Sequence, residues 1–179
     1  MEFDNYIIKQ VCEEDADNYF SLIDNNRKRL EDFFAGTVLK TKTQEDTKLF
    51  VSEIIKKSEA KTYLAFVIVD TSTQQLIGYI DVKSIDWNIP KAELGCFIDE
   101  KYAGQGISSK ALSKITEYCF DVLKFNKLFL RTHQDNISSQ RIAEKNGFEV
   151  EGVIRRDYKT TKGELVDLIY YGKLRNSNQ

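Results

Sequence analysis

Several residue types are scarce in this chain of 179 residues, and each scarcity excludes a class of protein. The three cysteines, Cys12, Cys96 and Cys119, are widely spaced and form no Cys-x-x-Cys pair. This spacing argues against a disulfide framework and a zinc site, so we predict no metal and a reducing, cytoplasmic location. The chain has one proline, Pro90, and no Gly/Ser-rich linker, so we predict a single domain over residues 1–179.

Long apolar runs and a strong charge of one sign are also missing. The longest apolar run, residues 64–69, is far too short to span a bilayer, and the acidic residues 1–4 lack the apolar core of a signal peptide. Lysine and arginine total 26 against 28 acidic residues, a net charge of −2. We therefore expect no nucleic-acid or membrane partner. The sequence leaves monomer and homodimer open, and the polar tail 175–179 is expected to be frayed.

The apolar periodicity predicts a mixed α/β fold with about seven strands and helices on both faces. Strands are predicted at 6–11, 63–70, 75–84, 91–99, 127–133, 148–158 and 164–173. Helices are predicted at 13–34 with a break near Asn25 and Asn26, at 43–59, at 105–124 and at 137–146. In helix 43–59 the expected buried face holds Leu49, Phe50, Ile54 and Ile55.

A glycine-containing turn joins strand 91–99 to the next helix. Gly104 and Gly106 in this turn precede a helix start, where free backbone N–H groups and the helix dipole favour a phosphate. A Walker A loop is excluded because Ile107 follows Gly106 where lysine is required. A dinucleotide fingerprint is excluded because Ser109 stands where the third glycine is needed.

The remaining alternative is the loop that binds the pyrophosphate of acetyl-CoA in GNAT acetyltransferases. Residues 101–106, Lys-Tyr-Ala-Gly-Gln-Gly, resemble its Gln/Arg-x-x-Gly-x-Gly/Ala pattern, with Lys101 replacing Gln or Arg. Residues 135–148, Asp-Asn-Ile-Ser-Ser-Gln-Arg-Ile-Ala-Glu-Lys-Asn-Gly-Phe, resemble the Asn-x-x-Ser helix and Lys-x-Gly-Phe ending of the RimJ/RimL branch. Residues 22–34 and 151–155 are also similar to that branch, so the resemblance spans nearly the whole chain.

The resemblance implies that acetyl-CoA is the cofactor and assigns residues to bind it. The strand before the loop splays from its neighbour in GNAT proteins, and its backbone binds the pantetheine arm. That role falls on Cys96, Phe97 and Ile98. The backbone amides that would cradle the phosphates are Gln105, Gly106, Ile107 and Ser108, with Gly104 allowing close approach and Lys101 keeping a cation nearby. Asn136 matches the asparagine that contacts pantetheine, and it is equally suited to be a plain helix N-cap.

Two residues are predicted to be catalytic. Ser139 matches the branch's serine near the sulfur, a suggested proton donor to the thiolate, although a serine in a first helical turn is often only structural. Glu93 is a carboxylate in an apolar strand, and it is either a base acting through water or a salt-bridge partner. His133 is a weaker candidate base. Tyr158 stands where some RimL-like enzymes carry a glutamate base, so that base is in doubt here.

The leading hypothesis is acetyl transfer to the N-terminal α-amine of a protein, the activity of the RimJ/RimL branch on ribosomal proteins. Deprotonating an α-amine at pH 7 costs about 1.1 kcal/mol against about 4.6 kcal/mol for lysine, which suits a site with a weak base. Two alternatives remain. One is acetylation of a small amine, such as a polyamine held by Glu13, Glu14, Asp15 and Asp17, an amino sugar or a toxic amine. The other is a non-catalytic acyl-CoA-binding module.

Overall fold

The computed structural model describes residues 1–175, whose strands form a single mixed sheet. Its eight strands lie in the order β1-β2-β3-β4-β5-β6-β8-β7. The β5–β6 pair is parallel and every other neighbouring pair is antiparallel. The strands are β1 Glu2–Phe3, β2 Tyr6–Gln10, β3 Leu64–Asp70, β4 Leu76–Asp86, β5 Lys91–Ile98, β6 Lys127–His133, β7 Glu149–Lys159 and β8 Leu165–Leu174.

Five α-helices cover the two faces of the sheet. They are α1 Ala16–Leu30, α2 Ala35–Lys40, α3 Gln44–Glu59, α4 Ile107–Asp121 and α5 Ile137–Lys145. Apolar residues of α4 and α5 pack on one face of the sheet, in a core centred on Ile80, Leu112 and Ile115. Residues of α1, α2 and α3 pack on the other face around Tyr19, Val67 and Tyr79. The prediction of a mixed sheet with helices on both faces is therefore confirmed, with one strand more than expected because the short β1 was missed.

The break predicted near Asn25 and Asn26 is wrong, because α1 runs unbroken to Leu30. Asn26 is buried, and its side chain acts in the tertiary structure rather than ending the helix. Its Nδ2 donates to the carbonyl of Leu22 and its Oδ1 accepts from the N–H of Glu100, both at 2.9 Å. The chain breaks instead at residues 31–34, after which the unpredicted α2 begins.

The predicted buried face of α3 is only partly correct. The helix begins with a capping box formed by Thr43 and Asp46, and α5 is followed by Gly147 with a φ of +74°. Leu49 is 72% exposed, so its assignment to the buried face of α3 is wrong, and that face is formed by Thr47, Val51 and Ile54. The run of three adjacent apolar residues at 49–51 leaves the phase of this helix ambiguous. Of the predicted tail, only Arg175 lies within the described residues.

The dual hydrogen bonding of Asn26 leads to a stability prediction. Asn26→Ala leaves the N–H of Glu100 without its acceptor inside the fold, so we expect the free energy of unfolding to fall by about 1–3 kcal/mol. Asn25→Ala changes an exposed neighbour on the same helix and is expected to stay within about 0.5 kcal/mol of the wild type. Urea unfolding measures both, and equal effects would contradict a structural role for the Asn26 side chain.

Candidate active site

Strands β5 and β6 separate at the centre of the sheet. Their parallel pairing covers only Lys91–Glu93 of β5 and Lys127–Phe129 of β6, and beyond that point β6 continues on β8 alone. The free edge of β5 therefore faces a wedge-shaped opening. The splaying that the family resemblance implied is present in this chain.

The direction of the backbone groups along β5 can be derived from its ends. At the C-terminal end of β5, the N–H of Asp99 donates to the carbonyl of Ile77 in β4. At its N-terminal end, the carbonyl of Pro90 points the other way and accepts from the N–H of Asn126, next to β6. Backbone direction alternates along a strand, so the groups of Leu94, Cys96 and Ile98 turn toward the opening.

This alternation refines the predicted backbone contacts. The backbone N–H and C=O of Phe97 point toward β4, so the predicted hydrogen bond between Phe97 and pantetheine is wrong. The backbone groups of Cys96 and Ile98 are on the open side. The carbonyl of Ile98 already accepts a hydrogen bond from the Arg29 guanidinium of α1. The side chain of Phe97 is buried and packs edge-on against Phe34, with ring centroids 5.0 Å apart.

The glycine turn ends at the start of α4, next to the opening. Gly104 and Gly106 have φ values of +77° and +78°, and a Cβ at either position would point into empty space. Within residues 1–175 the backbone N–H groups of residues 104–109 have no protein acceptor. Gln105 bends back so that its Nε2 donates to the carbonyl of Lys101 at 3.2 Å. This row of free donors at a helix start fits the phosphates of a coenzyme.

A cleft occupies the opening between the strands, and we call it the central cleft. Its walls include Leu94, Cys96, Leu130, His133, Asn136 and Ser139. Asn136 is the N-cap of α5, and its Oδ1 accepts from the N–H of Ser139 at 3.2 Å. The capping role and a contact with a ligand are compatible, because the Nδ2 of Asn136 remains available.

Glu93 lies in the wall of the central cleft and is only 5% exposed. Both of its oxygens are engaged, because Arg131 donates from Nε to Oε1 and from Nη2 to Oε2, each at 3.0 Å. Ser84 Oγ also donates to Oε2 at 3.1 Å. Of the two roles left open for Glu93, the salt-bridge partner is therefore present, and action as a base remains a prediction.

Further charged groups extend this cluster. Arg131 Nη1 donates to Asp157 Oδ2 at 2.8 Å. Lys83 Nζ lies 3.8 Å from Glu93 Oε1 and 3.3 Å from Asp81 Oδ1. Burial lowers the pKa of Lys83, but attraction to Asp81 and then to Glu93 outweighs it, so the net shift is upward and Lys83 stays charged. The set has three carboxylates and two cations, which leaves one negative charge in excess.

A second cavity adjoins the central cleft, and we call it the side cavity. It is open to solvent, and the two share Phe33, Phe34, Lys83 and Tyr158 in their walls. The Tyr158 hydroxyl accepts from the N–H of Ala35 at 2.7 Å, so β7 holds the start of α2 over the cleft. The walls of the side cavity also include Lys40, Lys57, Tyr63 and Asp81.

The remaining candidates are less favourably placed for catalysis. Burial raises the pKa of the Cys96 thiol to about 12, so this cysteine is protonated at neutral pH and is a poor nucleophile. His133 lines the central cleft, and its Nδ1 accepts from the N–H of Asp135 at 3.2 Å. The acidic residues 13–17, considered for a polyamine, are absent from the walls of both cavities. Asp15 pairs instead with Lys9 at 2.7 Å.

Comparison with known proteins identifies this arrangement. The model of the acetyltransferase (GNAT) domain matches residues 5–149, which include the open strand edge, the glycine turn and the helix of Ser139. The chain belongs to the GNAT acetyltransferase family. The prediction of an N-acetyltransferase of mixed α/β fold is thereby confirmed at the level of the family.

Individual relatives are more distant. N-acetyltransferase p20 of Bacillus licheniformis is 29% identical over 110 residues, which cover 62% of this chain and 61% of that protein. Ribosomal-protein-serine acetyltransferase of Escherichia coli (strain K12) is 28% identical over 117 residues, covering 64% and 63%. The matches thus span less than two thirds of the length of these two relatives. This GNAT chain also shares its fold with RimL, a ribosomal L7/L12 α-N-protein acetyltransferase solved in complex with coenzyme A. The TM-score is 0.89 at 20% identity, with 98% of this chain and 97% of that chain covered.

Two absences complete the description of this GNAT domain. Among residues 1–175 no three His, Cys, Asp or Glu side chains form a group suited to a metal ion. In the same part of the chain no helix has the length and apolar character needed to cross a membrane.

Sequence reasoning missed Asp81, Lys83 and Arg131. Each is a charged residue in the interior of a strand, the same kind of signal that singled out Glu93. If every charged residue inside β4 and β6 is treated as a candidate, all three are selected, because a buried charge requires a partner. The sequence does not show which of these side chains contact one another, since that depends on the register of three strands.

The geometry of the glycine turn gives a binding prediction. Gly104→Ala puts a Cβ on a left-handed residue with φ +77°, at a cost of roughly 1–2 kcal/mol, and points it into the open space that we assign to a phosphate. We expect the Kd for coenzyme A, measured by calorimetry, to rise at least about tenfold. Gly163→Ala, at φ +87° in the β7–β8 turn, is the matched control and should leave that Kd unchanged. An equal Kd for both variants would contradict the assignment of the loop.

Proposed function

We propose that this GNAT protein transfers the acetyl group of acetyl-CoA to the N-terminal α-amine of a protein, with a ribosomal protein as the acceptor. The observation that carries the acetyl-CoA assignment is the free edge of β5, which opens beside the unpaired N–H groups of the glycine turn. The cofactor supplies the activated thioester. We infer that the chain works as a single domain in the cytoplasm.

The residues of the cleft would hold the cofactor at two places. The N–H groups of Gln105, Gly106, Ile107 and Ser108 face the pyrophosphate, and the positive end of α4 and the Lys101 ammonium favour its charge. The backbone of Cys96 and the N–H of Ile98 bind the amides of the pantetheine arm as a neighbouring strand would. Asn136 adds a side-chain amide at the same arm.

Transfer proceeds by direct attack of a neutral amine on the thioester carbon. The C–N bond forms, the C–S bond breaks, and the departing thiolate needs a proton. Ser139 lies in the wall of the central cleft at the start of α5, where its hydroxyl can donate that proton. The protonated Cys96 thiol argues against an acyl-cysteine intermediate.

The choice of a protein α-amine rests on acidity and on the position of the acidic residues that were considered for a polyamine. Glu13, Glu14, Asp15 and Asp17 are absent from the walls of both cavities. An α-amine loses its proton at pH 7 for about 1.1 kcal/mol, whereas a lysine amine requires about 4.6 kcal/mol. Because one relative is a ribosomal-protein-serine acetyltransferase, the N-termini of ribosomal proteins are the acceptor class to test first.

The acceptor is tested by acetyl transfer to a panel of amines, followed by thiol release and product mass. The panel holds peptides that begin with Ser, Ala or Met, together with spermidine and an amino sugar. We expect acetylation of a peptide α-amine and at most slow turnover of spermidine. Turnover of a small amine alone would contradict the protein acceptor. Binding of acetyl-CoA without any turnover would favour a non-catalytic binding module.

The role of Ser139 is tested by Ser139→Ala. Loss of the proton donor should lower kcat on the order of 100-fold, while the Kd for coenzyme A stays the same. Ser138→Ala, an exposed serine one position earlier in α5, is the control and should keep the wild-type kcat. A Ser139→Ala enzyme with unchanged kcat would show that the thiolate obtains its proton elsewhere.

A further inference from the structure

Tyr158 carries a hydrogen-bond donor that the mechanism above leaves unused. Its side chain is partly exposed and lies in the walls of both the central cleft and the side cavity. The Tyr158 hydroxyl accepts from the N–H of Ala35, but within residues 1–175 its own O–H has no acceptor. A phenol can donate one hydrogen bond while it accepts another, so this O–H is available to a ligand at the boundary between the two cavities.

A bulge in β7 brings Tyr158 to this position. β7 and β8 are paired at Ile154 and again at Tyr158, and the three residues between these positions face the single residue Asp167 of β8. Arg156 in the bulge has a φ of +54°, and its N–H donates to Asp167 Oδ1 at 2.9 Å. Bulges are frequent next to active sites, where they redirect a side chain.

The Tyr158 hydroxyl stays protonated at neutral pH. Burial raises the pKa of Tyr158, and this effect exceeds the lowering by the N–H of Ala35 and by the charge of Lys83. The Ala35 N–H holds the oxygen at 2.7 Å and occupies one of its directions. The hydroxyl is therefore a donor held in place, and it is not a base.

The cationic side chains of the central cleft are already engaged. Arg131 uses all three of its guanidinium nitrogens, two toward Glu93 and one toward Asp157. Lys83 Nζ lies between two carboxylates, at 3.3 and 3.8 Å. Neither cation is free for a neutral acceptor group, whereas the Tyr158 O–H is.

His133 also lines the central cleft, but on the side of the proposed cofactor. Its carbonyl accepts from the N–H of Asn136 at 3.0 Å, at the start of α5, and His133 is absent from the walls of the side cavity. Tyr158 lies instead where the two cavities adjoin, next to the segment 31–34 that precedes α2.

A peptide N-terminus offers the Tyr158 O–H a suitable acceptor. In a peptide the first carbonyl oxygen lies roughly 3 Å from the α-amine nitrogen, a separation that follows from backbone dimensions. A polyamine has no carbonyl group beside its amine, so it has no oxygen to accept from Tyr158. The side cavity is open to solvent, which gives the chain after the first residue a way out of the cleft.

We propose that the Tyr158 O–H donates to the carbonyl oxygen of the acceptor's first residue, a role that rests on the proposed transfer to a protein N-terminus. This contact orients the α-amine toward the thioester carbon. Tyr158 is then a specificity-determining residue, because it favours an amine that has a carbonyl group beside it.

The test compares a peptide that begins with serine with the same peptide carrying a thioamide as its first peptide bond. The thioamide keeps the α-amine and the N–H but replaces the carbonyl oxygen with sulfur, a weaker hydrogen-bond acceptor. The kcat/KM for acetylation of each peptide is measured in the wild type and in Tyr158→Phe. We expect the wild type to prefer the oxygen peptide at least about fivefold and Tyr158→Phe to lose that preference.

Tyr170→Phe serves as the control substitution. It removes a hydroxyl that donates to Asp157 at 2.8 Å, but Tyr170 is absent from the walls of both cavities. This variant should keep the wild-type preference for the oxygen peptide. The Kd for coenzyme A, measured by calorimetry, should be the same in the wild type and in both variants.

The outcomes are distinguishable. A wild-type protein that acetylates no peptide would overturn the proposed function and, with it, this role of Tyr158. If the wild type acetylates both peptides equally well, only the Tyr158 assignment is overturned, and this arm needs no variant. Equal losses for both peptides in Tyr158→Phe would also overturn it, because they would show that the hydroxyl acts only by holding Ala35.

Discussion

The separation of β5 from β6 is the constraint on which the rest of the site depends. A parallel pair that stops after three residues leaves backbone donors and acceptors in the middle of a sheet, where neighbouring strands normally satisfy them. The amide-rich arm of the proposed cofactor would supply the missing partners. Because the strands diverge, β6 continues its pairing with β8 alone, and the first turn of α5 lines the central cleft.

The two faces of the sheet also differ in the side chains that they carry. The glycine turn and α4 belong to the side with the larger apolar core, so the proposed phosphate site is backed by a packed helix. The opposite side carries aromatic packing at α1 and α3 and then a cluster of ion pairs that borders both cavities. Charge is concentrated on the side from which an amine would approach, and buried pairs keep it in place at a cost that packing elsewhere must offset.

Much of this arrangement follows from the sequence alone, for reasons that are local. Gly104, Gly106 and the Asn136–Ser139 spacing are determined by backbone conformation and helix capping, which depend on neighbouring residues. The end of α1 and the unpredicted α2 could not be found in this way, since Asn26 acts through Glu100, seventy-four positions later in the chain. The charged cluster was missed for the same reason. Its members lie on four strands, and only the register brings them together.

Two contacts join α1 to the end of β5, the strand proposed to bind the pantetheine arm. Arg29 donates to the carbonyl of Ile98, and Asn26 accepts from Glu100, so the end of β5 is fastened to α1 just before the glycine turn begins. Under the proposed function, acceptor choice and cofactor affinity are therefore expected to be coupled. Substitutions in α1 chosen to redesign the acceptor would then also alter how firmly the coenzyme is held, and directed evolution of one property would have to monitor the other.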